Sequence, residues 1–456
     1  SSNVSSSTYE SPMTTAAPSL GLDSVARAPG ALRGFDRWLA PQSFLRWTAS
    51  APERYVITAP LAPKVLLTCS PEDCRAIFTE REGKLLFGEG LRRFAPHEAM
   101  FGHDAISALD GEDHTRFRRR LTGAFHGEAL KGYEQIMVST TERTISEWPT
   151  GTPVAFAELT HALARNVIVA AVCGVTEPAR ARRLEAALDR LDQTLNSLEL
   201  AGRFAAAILM RGWWAPYPRI KSIHAEIDAI AQEEIAARRA SGQNPYQDCL
   251  SRFLAPTDSE DLLSDEEIVA SLRVLIVAGW ATTANTLAWM AERLTRHPEI
   301  LARCVEDARE GTGRYLTAAV QETLRVRPPV PVTVRYVAGD FDLNGTLVPQ
   351  GTVIAADIER MHFRADVYEE PRAFHPERFL EERPGTYTWI PFGGGVHRCI
   401  GAGFALTEAR LVMRTVLRQF TFAPKTVRGE RSRRRTLITE PRGKAQVTLL
   451  RAPETR

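Results

Sequence analysis

Cysteine is scarce in this sequence: six residues in 456, at positions 69, 74, 173, 249, 304 and 399. They are too few and too scattered for a disulfide framework in a chain of this size, and they fit a reducing cytoplasm. Charge of one sign is lacking as well. Lys+Arg number 57 and Asp+Glu 55, for a net charge of +2. That balance argues against nucleic acid as the main partner, which would call for a strongly basic surface. Long apolar runs are also missing. The longest, such as VIVAAVCGV at 167–175, fall far short of the ~18 residues a membrane span requires. The opening SSNVSSSTYESPMTTAAP is polar and has neither a basic n-region nor an apolar core, so it does not read as a secretory signal. Met13 reads as the native start, with residues 1–12 a remnant of recombinant expression. Internal repeats and flexible linkers are absent too.

The remainder is ordinary for a soluble globular protein, 44% hydrophobic and 25% charged; the expectation is a cytoplasmic monomer with no membrane attachment. The sequence predicts one large domain over 13–456, mainly α with small β-sheets near its two ends. Residues 13–50 read as an irregular lead-in. RYVITAPLAPKVLLT at 54–68 has two β-branched runs around a Pro-containing turn and predicts a hairpin. Helical periodicity dominates from about 71 to 325, broken at GTP (151–153), APYP (215–218) and GQNP (242–245). Short strands return at 331–357, flanking an FDLNGT turn.

The clearest helix is SDEEIVASLRVLIVAGWATTANTLAWMAERLTRHPEI. Ser264 with Glu267 three residues on forms a capping box, and His297-Pro298 stops the helix. It should run about 33 residues, roughly 50 Å, long enough to cross the domain. Gly279 in its middle costs about 1 kcal/mol relative to Ala. Either another helix packs closely there, or something lies against the backbone.

One cysteine stands apart in FGGGVHRCIG, 392–401. Glycines 393–395 permit a tight turn and close approach to a ligand. The run from Ala402 onward is helical, so Cys399 sits at a helix N-terminus, where thiolate is favoured. No second Cys/His pair stands at zinc spacing, and no G-x-G-x-x-G fits. A lone thiolate with small neighbours suits one axial bond to a large flat cofactor.

The segment resembles the haem-binding signature of the cytochrome P450 family, F-x-x-G-x-x-x-C-x-G, with Phe392, Gly395, Cys399 and Gly401 in register. Glu322-Thr-Leu-Arg325 is similar to the family's E-x-x-R motif, FHPERF at 374–379 to the segment that adds Arg378 to that pair, and AGWATT at 278–283 to the oxygen-binding stretch of the long helix. Order and spacing match from about 50 to 450.

The resemblance implies a single haem domain with a long central helix and one iron protoporphyrin IX (haem b) ligated by Cys399. It implies His114, Arg118, Arg335 and His397 as propionate contacts, and Glu322, Arg325 and Arg378 as a structural trio. The RFRRR cluster at 116–120 either docks a ferredoxin or flavodoxin or is a solvated face; RSRRR at 431–435 reads as exposed. No fused flavin or iron–sulfur module is visible, so electrons would come from a separate NAD(P)H reductase system. The pocket expected by family position includes the loop after Phe87 to about Ser107, the 196–220 region, Val274, Val277, Ala278, Thr282, Pro331, Val332, Thr333 and 437–439, with Ile438. Trp213-Trp214 is either an access lid or a packed loop. These are mostly apolar and suit a small hydrophobic substrate. The reading is a monooxygenase of natural-product or lipid metabolism; a non-hydroxylating haem-thiolate enzyme, or a haem sensor or carrier without turnover, is the alternative.

One departure from the family pattern stands out. Around Ala278, Gly279, Thr282 and Thr283, an acid normally precedes the first threonine, and here Ala281 takes its place. General acid work needs a titratable group within hydrogen-bond reach, and alanine has none. A water chain using Thr282 alone, a substrate group, or a pathway needing less protonation would fill the gap. Trp280, about 200° round the helix from Ala278, should point away from the haem.

Overall fold

The computed structural model describes residues 20–27, 51–58, 63–94, 97–175, 177–195, 197, 218–241, 247–255, 263–382, 385–426, 428–435 and 438–452. The expected expression remnant, the start at Met13, the lead-in up to Ser19 and from Ala28 to Ser50, and Trp213-Trp214 lie outside these residues.

The helices are α1 (Pro71–Thr79), α2 (Phe87–Phe94), α3 (His97–Phe101), α4 (Gly111–Thr122), α5 (Glu128–Ile145), α6 (Phe156–Val172), α7 (Pro178–Leu195), α8 (Pro218–Ser241), α9 (Cys249–Leu254), α10 (Asp265–Leu294), α11 (Pro298–Glu310), α12 (Arg314–Val326), α13 (Ile358–His362), α14 (Arg378–Glu381) and α15 (Ala402–Gln419). The predicted hairpin forms as β2 (Arg54–Ile57) and β3 (Val65–Thr68), which pair antiparallel. It continues through β9 (Val353–Asp357), β6 (Val332–Val337) and β4 (Leu85–Leu86) into one five-stranded sheet. The FDLNGT turn joins β7 (Phe341–Leu343) to β8 (Thr346–Val348), with Asn344 and Gly345 both at positive φ (46° and 81°), as a tight hairpin turn demands.

Two features were not expected. The GTP break leads at Pro153 into a strand, β5 (Pro153–Ala155), paired with β13 (Gln446–Arg451) beside β10 (Phe420–Pro424). The RSRRR run also forms a strand, β11 (Ser432–Arg435), against β12 (Ile438–Pro441), where Arg433 bonds Glu440 over 2.5 Å. Short edge pairings of this kind depend on a partner far along the chain, which local pattern does not reveal.

Helix α10 is the axis of the helical layer. Ser264 and Glu267 close the predicted capping box in both directions. The helix has 30 residues, about 45 Å, and ends a little earlier than read, because Pro298 opens α11 as its first residue. By length and composition α10 is apolar enough to cross a membrane, but 72% of that window is buried inside this protein, as befits a core helix. It packs on α6 so closely that a Cβ on Gly279 would come 2.8 Å from Ile168 Cδ1. Helix–helix packing therefore accounts for the glycine. Trp280 is buried on the same side, its indole N–H donating to His161 Nδ1 over 3.4 Å.

Candidate active site

The site is best built from its rear wall. Glu322 and Arg325 on α12 are both 0% exposed. Three residues apart, they share one helical face and form a bidentate pair at 2.7 Å and 2.7 Å. The guanidinium has five N–H donors, and all are used. Besides Glu322 they reach the carbonyls of His362, Pro371 and Ala373. Glu322 also accepts from His375 N at 2.8 Å and pairs with Arg378 at 3.3 Å. The predicted trio is thus assembled.

His362 was not read from the sequence, yet it transmits this order forward. Its Nδ1 lies 3.1 Å from Arg325 O, and its Nε2 accepts from Ile390 N at 3.0 Å. An accepting Nε2 leaves the proton on Nδ1, so the ring is neutral; burial pushes its pKa down to about 3. Ile390 opens the cysteine loop. A lone internal histidine offers no sequence signal, because its partners are backbone atoms 28 and 37 residues away.

The loop then turns back on itself. Gly393 N donates to Ile390 O at 3.0 Å, and Cys399 N to Phe392 O at 2.9 Å. Gly395 has φ +67°, and a Cβ there would sit 2.1 Å from the Phe78 carbonyl oxygen, so only glycine fits. At Gly401, by contrast, a Cβ would meet nothing within 4 Å. Cys399 precedes α15 as expected. It keeps accessible surface, unlike the five other cysteines, which are all buried. Desolvation nonetheless raises its thiol pKa, opposed by the Gly401 backbone hydrogen bond, Arg398 and Arg118. Both facts hold for a sulfur on the wall of an internal recess.

Hydrogen-bond donors gather beside it, two arginines and two histidines. His114 and Arg118 lie one turn apart on α4, His397 stands in the loop, and Arg335 is on β6. The His114 and His397 rings are 3.9 Å apart, and Phe87 lies 4.8 Å from His397. Arg335 is 4% exposed, is sandwiched by Phe87 and Phe78, and donates to Val334 O at 2.8 Å. Burial drives its pKa down to about 10. Arg335 and Arg118 have no carboxylate partner among the described residues. Asp110 is the nearest acid, 3.6 Å from His397, but it is engaged in capping α2 by accepting from Phe87, Gly88 and Glu89 N. Desolvation and the neighbouring cations hold His114 at about 4 and His397 at about 2. Buried cations without anions are unfavourable, and a flat dianionic group with a metal centre satisfies this donor set.

A second opening lies on α10. Almost all of it is buried, but Ala278 is exposed and Gly279, Ala281 and Thr282 are half-buried. The helix runs unbroken through this turn, and Thr282 Oγ1 donates back to Ala278 O at 2.9 Å. Thr283 does not share that opening. It is 4% exposed and meets Glu408 of α15. Val274 and Val277, expected in a pocket, are packed in the core at 5% and 8% exposure. Pro331 and Val332 are buried and Thr333 half-buried at the start of β6, and half-buried Ile438 is brought near by Thr439, which bonds Pro328 O and Pro329 O. A further link went unread. Buried Arg273 of α10 bonds Phe101 O at 3.2 Å and pairs with Asp104 and Asp228, tying α3 and α8 to the central helix. In the RFRRR cluster, Arg120 pairs with Glu267 at 2.9 Å, so that cluster is not wholly free for a partner.

The comparisons with known proteins agree with this geometry. The family profile for Cytochrome P450 matches residues 30–449. A chain of Mycobacterium tuberculosis, provisionally named cytochrome P450 137, is 38% identical over 372 residues, 81% of this chain and 77% of its own. Another from Mycobacterium bovis, provisionally cytochrome P450 138, is 34% identical over 394 residues, 85% and 87% respectively. Among solved structures, the P450DA haem domain has TM-score 0.77 at 21% identity, covering 95% of this chain and 98% of that one. Retinoic acid-bound cyanobacterial CYP120A1 has TM-score 0.75 at 21% identity, covering 95% and 99%. The chain belongs to the cytochrome P450 family, has its fold, and takes one haem, iron protoporphyrin IX, as cofactor.

Proposed function

We propose that this protein is a haem-thiolate monooxygenase that inserts one oxygen atom from O2 into a small lipophilic substrate. The observation that carries the reading is the pairing of two openings: one accessible cysteine in a loop beside two arginines without carboxylate partners among the described residues and two neutral histidines, and one open turn in an otherwise buried central helix. In this reading Cys399 is the axial ligand, and His114, Arg118, Arg335 and His397 receive the propionates. When bound, the haem supplies oxygen activation, and thiolate ligation favours O–O cleavage.

The chain's own residues set the conditions for that chemistry. Arg398, Arg118 and the Gly401 N–H favour the thiolate against desolvation. The Glu322–Arg325 knot, through His362, fixes where the sulfur stands. Thr282 places the one hydroxyl of this helix turn at the opening, and Ala281 adds no acid to it. Electrons would come from a separate ferredoxin or flavodoxin with its NAD(P)H reductase, and natural-product or lipid metabolism fits the apolar lining.

The test is the spectrum of the reduced carbon monoxide complex, followed by product formation with a surrogate redox chain. A thiolate-type band that is lost in Cys399→Ser is the expected result. The same band retained in Cys399→Ser would sink the assignment. A normal band without any NAD(P)H-driven product across a lipophilic compound library would favour the sensor or carrier reading.

A further inference from the structure

Helix α10 carries an indole that the proposed chemistry does not use. Ala278 to Thr282 make up the open turn, and Trp280 in the middle of it is buried on the side packed against α6, at 4% exposure. Its N–H donates to Nδ1 of His161 on α6 over 3.4 Å. An indole N–H can only donate, so Nδ1 of His161 holds a lone pair. The imidazole proton is then on Nε2, and the ring is a neutral base. His161 is half-buried, which gives the pair contact with solvent.

The acceptor sets this indole apart. Trp389 donates to a backbone carbonyl, Gln321 O, at 3.3 Å. Trp289 is 0% exposed, and its N–H has no acceptor among the described residues. The difference matters when an indole loses an electron, because the resulting cation is a strong N–H acid. A carbonyl does not take its proton, and a buried cation without an anion is unfavourable. An imidazole nitrogen takes the proton and leaves a neutral radical behind. Among the described residues no other indole donates to an imidazole.

We propose that Trp280 and His161 form a one-electron redox site that discharges the haem when an oxidising equivalent finds no substrate. Trp280 stands across the width of α10 from the open turn, about 10 Å. The inference goes beyond the monooxygenase reading but rests on the haem lying at that turn.

The oxidant in this step is haem that hydrogen peroxide has oxidised, and Trp280 gives up one electron to it. The Nε1–H bond of Trp280 breaks and an Nδ1–H bond forms on His161. The products are a neutral indolyl radical and an imidazolium. A small one-electron donor such as ascorbate then reduces the radical, and the proton returns from His161 to Nε1.

The test uses haem-loaded, substrate-free protein mixed with hydrogen peroxide and rapidly frozen. Electron paramagnetic resonance should show a neutral indolyl radical in the wild type and none in Trp280→Phe. His161→Gln keeps an acceptor beside the indole but removes the base. The neutral radical should fall about tenfold or more in that variant, the scale of losing a charge-assisted hydrogen bond. Both variants should keep the carbon monoxide spectrum of the wild type. Peptide mapping gives a second readout: oxygenated Trp280 should accumulate under peroxide and be suppressed by ascorbate.

If Trp280→Phe does not fold, His161→Gln and the peptide map carry the same prediction. The idea is overturned if the radical persists at equal yield in Trp280→Phe, or if His161→Gln gives the wild-type signal. A wild type with a normal thiolate band and no indolyl signal overturns it as well. A wild type lacking the thiolate band would instead defeat the assignment of Cys399, and the comparison with His161→Gln in the same peroxide-treated haem protein would still decide this proposal.

Discussion

Arg325 and Arg335 are both buried guanidinium groups, at 0% and 4% exposure, and they have opposite surroundings. Arg325 has a bidentate carboxylate and three carbonyls, so every donor is satisfied within the chain. Arg335 has one carbonyl, one threonine hydroxyl at 3.4 Å, and two aromatic faces. The first is a completed structural knot. The second is a charge that folding alone leaves uncompensated, and such a charge marks where an anion belongs. Equal burial therefore carries two different meanings, and the partner list tells them apart.

The strongest break of this contrast is Glu322→Ala. It turns Arg325 into an uncompensated buried charge, at a cost of about 3–5 kcal/mol, a large part of the roughly 5–15 kcal/mol that holds a domain together. Little folded, haem-loaded protein should be recovered. Full haem content and an unchanged melting temperature would show that the knot is dispensable. Arg335→Met should behave differently. Replacing an unpaired buried cation by an apolar side chain is neutral or stabilising for the protein alone. Its expected loss is in cofactor retention, roughly 10- to 100-fold, from one charge-assisted hydrogen bond of about 1.5–3 kcal/mol. Haem transfer to a scavenging globin, measured beside thermal unfolding, checks both halves. A melting temperature that drops as far as in Glu322→Ala would erase the distinction.

A smaller effect sharpens it. In the folded chain His114 titrates at about 4, held down first by desolvation and then by Arg118, against about 6.5 unfolded. Between those values the unfolded chain binds more protons. This contribution is therefore complete above about pH 6.5 and is lost as pH falls toward 4, by up to about 1.4 kcal/mol per pH unit. A propionate beside His114 would oppose the depression. Denaturant midpoints across that window should fall less steeply with haem bound than after haem extraction, and His114→Phe should remove the difference. Equal slopes in both forms would place the propionate elsewhere.

The smallest expected effect is at Thr282. Thr282→Ala should reduce product per NAD(P)H by several-fold, and Ala281→Asp alone should raise it modestly. Complete insensitivity of that ratio would mean that protons bypass this turn.

Much of this was legible in the chain because it is written in short spacings. The capping box at Ser264 and Glu267, the Glu322–Arg325 pair and the His114–Arg118 pair each span three or four residues, and helix geometry alone brings their members together. The hairpin at 54–68 and the turn at Asn344-Gly345 are equally local. Cys399, with its glycines, was recognisable because a backbone that passes as close to Phe78 as Gly394 and Gly395 do leaves few residue types able to occupy the loop.

What tertiary structure alone decided is of another kind. His362 gains its role from Arg325 O and Ile390 N, both distant in sequence, and a single histidine has no periodicity to announce them. Gly279 is explained by Ile168 on α6, so the choice between packing and ligand room had to await the neighbouring helix. Arg273 meets Asp104 and Asp228 across 169 and 45 residues. Glu408 looks like one more polar residue on the last helix until packing buries it beside Thr283 of α10. Covalent spacing fixes which side chains share a turn; only the packing of helix against helix fixes which of them lose water and which are left without a partner, and it is that loss that turns a glutamate into an acid and an arginine into an anion site.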